Sequence, residues 1–183
     1  FGASRPYKGR EYLVAAFQIL AAKDRRYRLI IAGEVKRDGE QYMEEIRKTI
    51  AGELPEGSVI QKVEFIPDAQ TEDYFKAADV TILPYTLIFQ SGVLFLSYSF
   101  GLPVVATQVG SFGDDIVEGQ NGFTCAPCDP PALAEAIERY FASELFEKLD
   151  ERRREIRDYA LARHSWDVVG EMTRSVYAEL LRS

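Results

Sequence analysis

Four short clusters carry the residues best suited to chemistry. The first is Arg5-Pro6-Tyr7-Lys8-Gly9-Arg10. Lys8 and Arg10 flank a glycine where a helical pattern begins. A cation there opposes the positive end of the helix dipole by ~0.3–1 kcal/mol. An anion bound between such cations and the free N–H groups of the first turn offsets that cost. Arg5 adds a planar fork matched to phosphate. The alternative is a set of solvated cations on a fraying first turn. The second cluster is Gln90-Ser91-Gly92-Val93. Ser91 is placed to cap a helix, and Gly92 lets a ligand approach the backbone closely. A plain capped core helix is equally compatible with these residues. If the two helix starts face each other, together they suit a diphosphate.

The third cluster runs from Val109 to Asp115 and is punctuated by Gly110 and Gly113. Asp114 and Asp115 are expected to cap a short helix begun by Ile116 and Val117. With Glu118 the one other acid nearby and a single His in the chain, a metal site is not expected. The fourth is Cys125-Ala126-Pro127-Cys128. Its spacing is that of thioredoxin-like redox motifs, and a helix start would lower a thiol pKa. Asp129 follows directly and opposes a thiolate, so a simple turn is the competing reading. Two Cys and a distant His164 cannot complete a four-ligand zinc site.

These clusters need elements to hold them. The 183 residues suffice for one domain with a substantial core. Net charge is −7, with 46% hydrophobic residues, which argues against nucleic acid or an anionic membrane as partner. No secretory leader is expected, because no apolar region follows Arg5, Lys8 and Arg10. Two Cys make no disulfide framework and fit a reducing cytosol. Thr81 to Gly113 holds no charged residue or His. Pro84, Gly92, Gly101, Pro103 and Gly110 break it into pieces too short to span a bilayer.

Those pieces read as a strand at 80–83, a helix at 93–100 that is apolar all round and hence buried, and a strand at 103–107. The same alternation covers the chain. Helices are expected at 9–23, 39–50 and 71–78, and strands at 27–32, 59–66 and 122–126. Pro130 or Pro131 starts a further helix. Two more follow, at about 144–162 and 167–181. Between them Ser165 caps and Trp166 packs. "FGASRP" reads as the tail of a buried strand, which suggests a fragment of a longer protein. Repeated βα units predict a doubly wound, mainly parallel sheet with helices on both faces and additional C-terminal helices. Ligands in such sheets bind beyond the carboxyl ends of the strands.

The order of these features resembles the C-terminal, donor-binding domain of GT-B-fold retaining glycosyltransferases, family 4-like. "FGASRPYKGREYLVAAF" is similar to that family's first strand, basic loop and helix. "RLIIAGE" is similar to its second strand, and "VEFIPDAQTEDYFKAADVTILPY" to the approach to its donor loop. "QSGVLFLSYSFGLPVVATQVGSFGDDIVEGQNGFTCAPCDPPALAEAI" is the most specific stretch. "SWDVVGEMTRSVYAELL" resembles the closing helix that returns to the N-terminal domain.

The resemblance implies a nucleotide-diphospho-sugar donor (UDP- or GDP-sugar), with Lys8 and Arg5 neutralising its diphosphate as the catalytic cations. Backbone N–H groups of Ser91, Gly92 and Val93 bind the same phosphates, with Gln90 supplying polar contacts. Gly33, Glu34, Ile66 and Pro67 border the base. It implies no cofactor and no metal, a retaining hexosyl transfer, and a separate N-terminal GT-B domain for a glycan, lipid or small-molecule acceptor. It places the protein in the cytoplasm, at most peripheral to the inner membrane through that domain, in polysaccharide biosynthesis. One departure concerns the sugar. The family's paired glutamates fall here on Ile88 and Leu96. The alternatives are a nucleotide-binding module without catalysis and a thiol oxidoreductase.

Overall fold

The computed structural model describes residues 1–36 and 39–181. Among them, helices and short parallel strands alternate. The helices are α1 (Arg10–Lys23), α2 (Glu40–Glu53), α3 (Asp68–Ala77), α4 (Gly92–Ser99), α5 (Phe112–Asp115), α6 (Pro130–Phe141), α7 (Glu144–Glu147), α8 (Leu149–His164) and α9 (Trp166–Leu180). The strands are β1 (Leu29–Ala32), β2 (Val59–Lys62), β3 (Thr81–Leu83), β4 (Val104–Thr107) and β5 (Gly122–Cys125). Every pairing is parallel. Leu29 aligns with Val59, Thr81 with Val104, and Val104 with Gly122. A parallel strand buried on both faces reads as an unbroken apolar run, and β4 (Val-Val-Ala-Thr) is buried at all its positions.

The mixed α/β architecture with parallel sheets and flanking helices agrees with the sequence pattern. The strands, however, form two sheets, β1-β2 and β3-β4-β5. A cavity of about 740 Å³ lies between β1 and β3. The expected strand tail at the start is a single parallel bridge, Ser4 to Val35.

Helix α1 presents Leu13, Phe17 and Leu20 to the core and packs on α2 and α6. Helix α6 covers β4 and β5. Its start is fixed by Asp129, whose carboxylate accepts from Ala132 N at 3.0 Å, with Pro130 in the first turn. On α4, Leu94, Ser97 and Tyr98 are buried, and the helix packs against α8.

Several local expectations are corrected. α4 is not buried all round: Gly92 and Ser99 are exposed. The predicted strand at 59–66 ends at Lys62, and α3 begins at Asp68 rather than Thr71. Asp114 and Asp115 do not cap a helix starting at Ile116. They close α5, and Ser111 Oγ donates to buried Asp115 at 2.8 Å. The expected helix at 144–162 is two helices, broken at Lys148. Ser165 caps as expected, accepting from Val168 N, but Trp166 does not pack: it is 88% exposed. His164 packs on Phe95, with ring centroids 4.5 Å apart, and sits 3.7 Å from Asp115, tying the end of α8 to α4 and α5.

Candidate nucleotide-diphosphate site

The site is assembled at the carboxyl end of β3, where a parallel sheet places ligands. Two segments meet there. Residues Pro6–Lys8 form a 3-10 turn that ends on Gly9 in the left-handed conformation, φ 61° and ψ 36°. A Cβ at Gly9 would stand 2.0 Å from the Pro84 carbonyl oxygen. Glycine therefore meets two demands at once, a positive φ and backbone contact with the chain leaving β3. Thr86 N donates to Tyr7 O at 2.9 Å and locks the turn to that chain. Lys8 is thereby carried toward α4.

The α4 end is open. Ser91 occupies the N-cap position, yet its side chain makes no capping hydrogen bond. Its hydroxyl donates instead to Tyr85 Oη, at 3.5 Å. The first N–H groups of any helix lack intrahelical partners. Without a side-chain cap, those of α4 remain available to an anion. A Cβ added to Gly92 would meet nothing within 4 Å, so protein packing does not demand glycine there.

Lys8, Gln90, Ser91, Gly92 and Val93 line one pocket of about 270 Å³. The Lys8 ammonium and Val93 Cγ2 lie 3.0 and 3.8 Å from a Cβ built on Gly2, so the two sides converge. Arg5, Gly33, Glu34, Ile66 and Pro67 lie outside this pocket's lining. Arg5 precedes the 3-10 turn. Gly33 packs on the Gly2 backbone. Glu34 O accepts from Ser4 N at 2.9 Å. Ile66 is buried, and Pro67 stands before α3.

The electrostatics centre on Lys8. Burial, then the nearby Arg10 guanidinium, holds its ammonium down at about 8. Burial lowers Arg10 as well. Arg10 is itself buried, and donates to Gly2 O at 2.8 Å and to Met43 Sδ at 3.5 Å. It braces the N-terminal segment and adds positive field without lining the pocket.

Tyr85 escaped the sequence reading. Its ring lies 5.6 Å from the Lys8 ammonium, a cation–π contact, and its hydroxyl receives Ser91. It follows Pro84 directly beyond β3, and that position was its one sequence signal. Ile88 and Leu96 also line the pocket, so no carboxylate enters from those positions.

The cysteines offer less. Cys125 is buried, and its thiol is pushed up to about 11 by burial and by Asp129, the opposite of an activated nucleophile. Cys128 is exposed and stands at φ 57°. Among the described residues no group of three or more His, Cys, Asp or Glu is arranged to hold a metal. No helix among them is long and apolar enough to cross a membrane.

A parallel sheet with a cationic loop and an open helix start at one strand end is a fold-level pattern, and comparison with known proteins decides the family. The profile of the family described as "Glycosyl transferases group 1" matches residues 1–143. The chain belongs to this family.

Among its curated relatives, group 1 glycosyl transferase sequences include D-inositol 3-phosphate glycosyltransferase of Streptomyces griseus. It is 27% identical, with 98% of this chain and 38% of that protein aligned. The enzyme of the same name from Corynebacterium urealyticum is 25% identical over 98% of this chain and 42% of that protein. This group 1 chain thus spans about 40% of the length of the curated relatives it matches.

Solved structures share the fold. The C-terminal domain of LpcC, a glycosyl transferase group 1 protein of Francisella tularensis, superposes with a TM-score of 0.77 at 16% identity, covering 91% of this chain and 84% of that one. Anabaena Alr3699/HepE in complex with UDP superposes at 0.82 with 22% identity, over 97% of this chain and 48% of that one.

Proposed function

We propose that this chain is the donor-binding half of a glycosyltransferase, taking a nucleotide-diphospho-sugar and supporting its transfer to an acceptor held by a separate N-terminal domain. The observation that carries the reading is the convergence of Lys8 and the uncapped start of α4 on one pocket. A diphosphate seated there accepts from backbone N–H groups and faces the Lys8 ammonium. As the glycosidic bond to the sugar breaks, negative charge grows on the departing diphosphate. Donors fixed in advance stabilise that charge without reorganising, and in many active sites no other effect contributes more to the rate. Cations and amides then do the work elsewhere given to a metal. Arg5 supplements Lys8 from the turn, and Gln90 contacts the donor. Gly33, Glu34, Ile66 and Pro67 border the base. The donor is UDP- or GDP-linked, the transfer is hexosyl and retaining, and no metal takes part. UDP bound to the similarly folded Anabaena protein favours UDP.

The acceptor domain has a place to dock. Trp166, Val169, Met172, Val176 and Leu180 form an exposed apolar stripe along α9, at i, i+3 and i+4 steps. In this reading the N-terminal half covers it. The intact protein works in the cytoplasm, with any membrane attachment peripheral and through that half.

Calorimetry with UDP, GDP and their sugars tests donor binding. The reading fails if none binds at millimolar concentration, or if Lys8→Ala leaves binding unchanged. A second reading is favoured by Ile88 and Leu96, which place aliphatic groups in the pocket wall. In it the domain binds nucleotide without catalysis. Full-length protein that binds UDP yet neither transfers nor hydrolyses its sugar supports that reading over the first.

A further inference from the structure

The wall of the pocket beside the α4 start has a chemistry of its own. On α4, Leu94, Ser97 and Tyr98 are buried against the core. Gly92 and Leu96, four residues apart, share the opposite side of the helix. Side chains of a helix lean toward its N-terminus, so Leu96 leans toward Gly92. Glycine offers no side chain to cover it, and Leu96 lines the pocket half-buried.

Ile88 reaches the same pocket from the loop between β3 and α4. That loop is held at both ends. Thr86 N donates to Tyr7 O at 2.9 Å, and Ser111 N donates to Phe89 O at 3.0 Å. Gly110 lies so close that an added Cβ would stand 2.1 Å from Ile88 O. Ile88 is therefore a fixed part of the wall, and it also packs on the core. A single half-exposed aliphatic residue is ordinary. Two of them, from separate elements, meeting beside a cation in one pocket make an apolar patch within a polar site.

The polar groups of the pocket have other tasks. Lys8 and the α4 amides face the diphosphate, and the Ser91 hydroxyl is bonded to Tyr85. Among the described residues that line the pocket there is no carboxylate. A sugar hydroxyl turned against Ile88 and Leu96 gives up its hydrogen bonds to water and regains none. A sugar suited to this wall lacks a hydroxyl there and fills the space with carbon. Removing a ring hydroxyl leaves only a C–H. Replacing the exocyclic hydroxymethyl by methyl removes a hydroxyl and keeps a group that packs.

We propose that the donor carries a 6-deoxyhexose, whose methyl group packs against Ile88 and Leu96. The proposal rests on the donor-binding reading above and adds the class of sugar to it. The two side chains select the sugar, while the diphosphate contacts hold any donor of the right nucleotide.

Calorimetry on the chain with matched donors tests this. The pairs are UDP-glucose with UDP-6-deoxyglucose, and GDP-mannose with GDP-6-deoxymannose. Within each pair one hydroxyl differs. In the pair whose nucleotide binds, the 6-deoxy donor should bind about tenfold tighter, the scale of one such group in an apolar pocket. Leu96→Gln supplies a hydrogen-bonding partner and should bring the ratio close to one. The ratio is read within each variant, so a uniform loss of affinity cancels. If Leu96→Gln fails to fold, Ile88→Thr is read in the same way. Equal binding of the two sugars, or preference for the hydroxylated one, overturns the proposal while nucleotide binding leaves the donor-binding reading standing. A 6-deoxy preference that neither variant reduces also overturns it, because the selection then lies elsewhere. Absence of binding by UDP and GDP alike overturns both readings together.

Discussion

Lys8 gives the sharpest test, because its ammonium titrates where nucleotide binding is easily measured. Its pKa of about 8 lies well below the ordinary 10.5, through burial and then Arg10. A diphosphate beside it favours the charged form and draws the pKa back up. Binding above pH 8 is then coupled to proton uptake. For a group of pKa near 8 the charged fraction falls from roughly nine-tenths at pH 7 to one-tenth at pH 9, an affinity loss of about tenfold. Other groups stay silent in that window. A terminal phosphate has its second pKa at about 6, and a guanidinium remains charged. A hydrogen bond to a charged group is worth ~1.5–3 kcal/mol, so Lys8→Ala should weaken UDP binding roughly 10- to 150-fold at pH 7.

The assay is calorimetry with UDP at pH 7, 8 and 9 in buffers of different ionisation enthalpy. Wild type should lose about tenfold and take up a proton. Lys8→Ala should bind weakly with no slope, and Lys8→Arg should bind with no slope because its charge persists. A flat wild-type profile, or an undiminished slope in Lys8→Ala, would refute the assignment of Lys8 to the diphosphate.

Gly92→Ala should separate folding from binding. Its Cβ meets no protein atom, and alanine is ~1 kcal/mol better than glycine inside a helix. Tm should hold or rise while UDP affinity drops several-fold. Gly9→Ala should lower both, since the Cβ clash with Pro84 O and the positive φ together cost ~2 kcal/mol or more in urea denaturation and shift the turn that carries Lys8. Iodoacetamide at pH 8 should label exposed Cys128 and spare Cys125, while Cys→Ser at both positions leaves nucleotide binding intact. In residues 1–183 alone, Trp166→Ala should change stability by no more than ~0.5 kcal/mol, given its exposure. The docking proposed for α9 further predicts that, in a protein carrying the N-terminal half, the same change destabilises the join.

Sequence periodicity alone determined the alternation of strands and helices and the mainly parallel sheet, though not the short α5 or the break at Lys148. The uncharged run from Thr81 to Gly113 has one reading as strand, helix and strand, because Pro and Gly break it at loop positions. Pro130 marked the start of α6, and Ser165 before Trp166 marked α9, because first-turn and capping preferences are local, while the Asp129 cap of α6 was seen only in the structure. Tertiary structure decided what depends on distant groups. Whether Lys8 or Arg10 faces the pocket turns on Gly2 and Met43 capturing the Arg10 guanidinium. Ser91 looks like a cap in sequence but bonds Tyr85, whose position depends on the chain leaving β3. Trp166 is apolar and suggests packing, yet burial depends on a surface elsewhere to receive it. The gap between β1 and β3 is likewise invisible to any pattern along the chain, since a strand's second neighbour is chosen by the sheet and not by the strand.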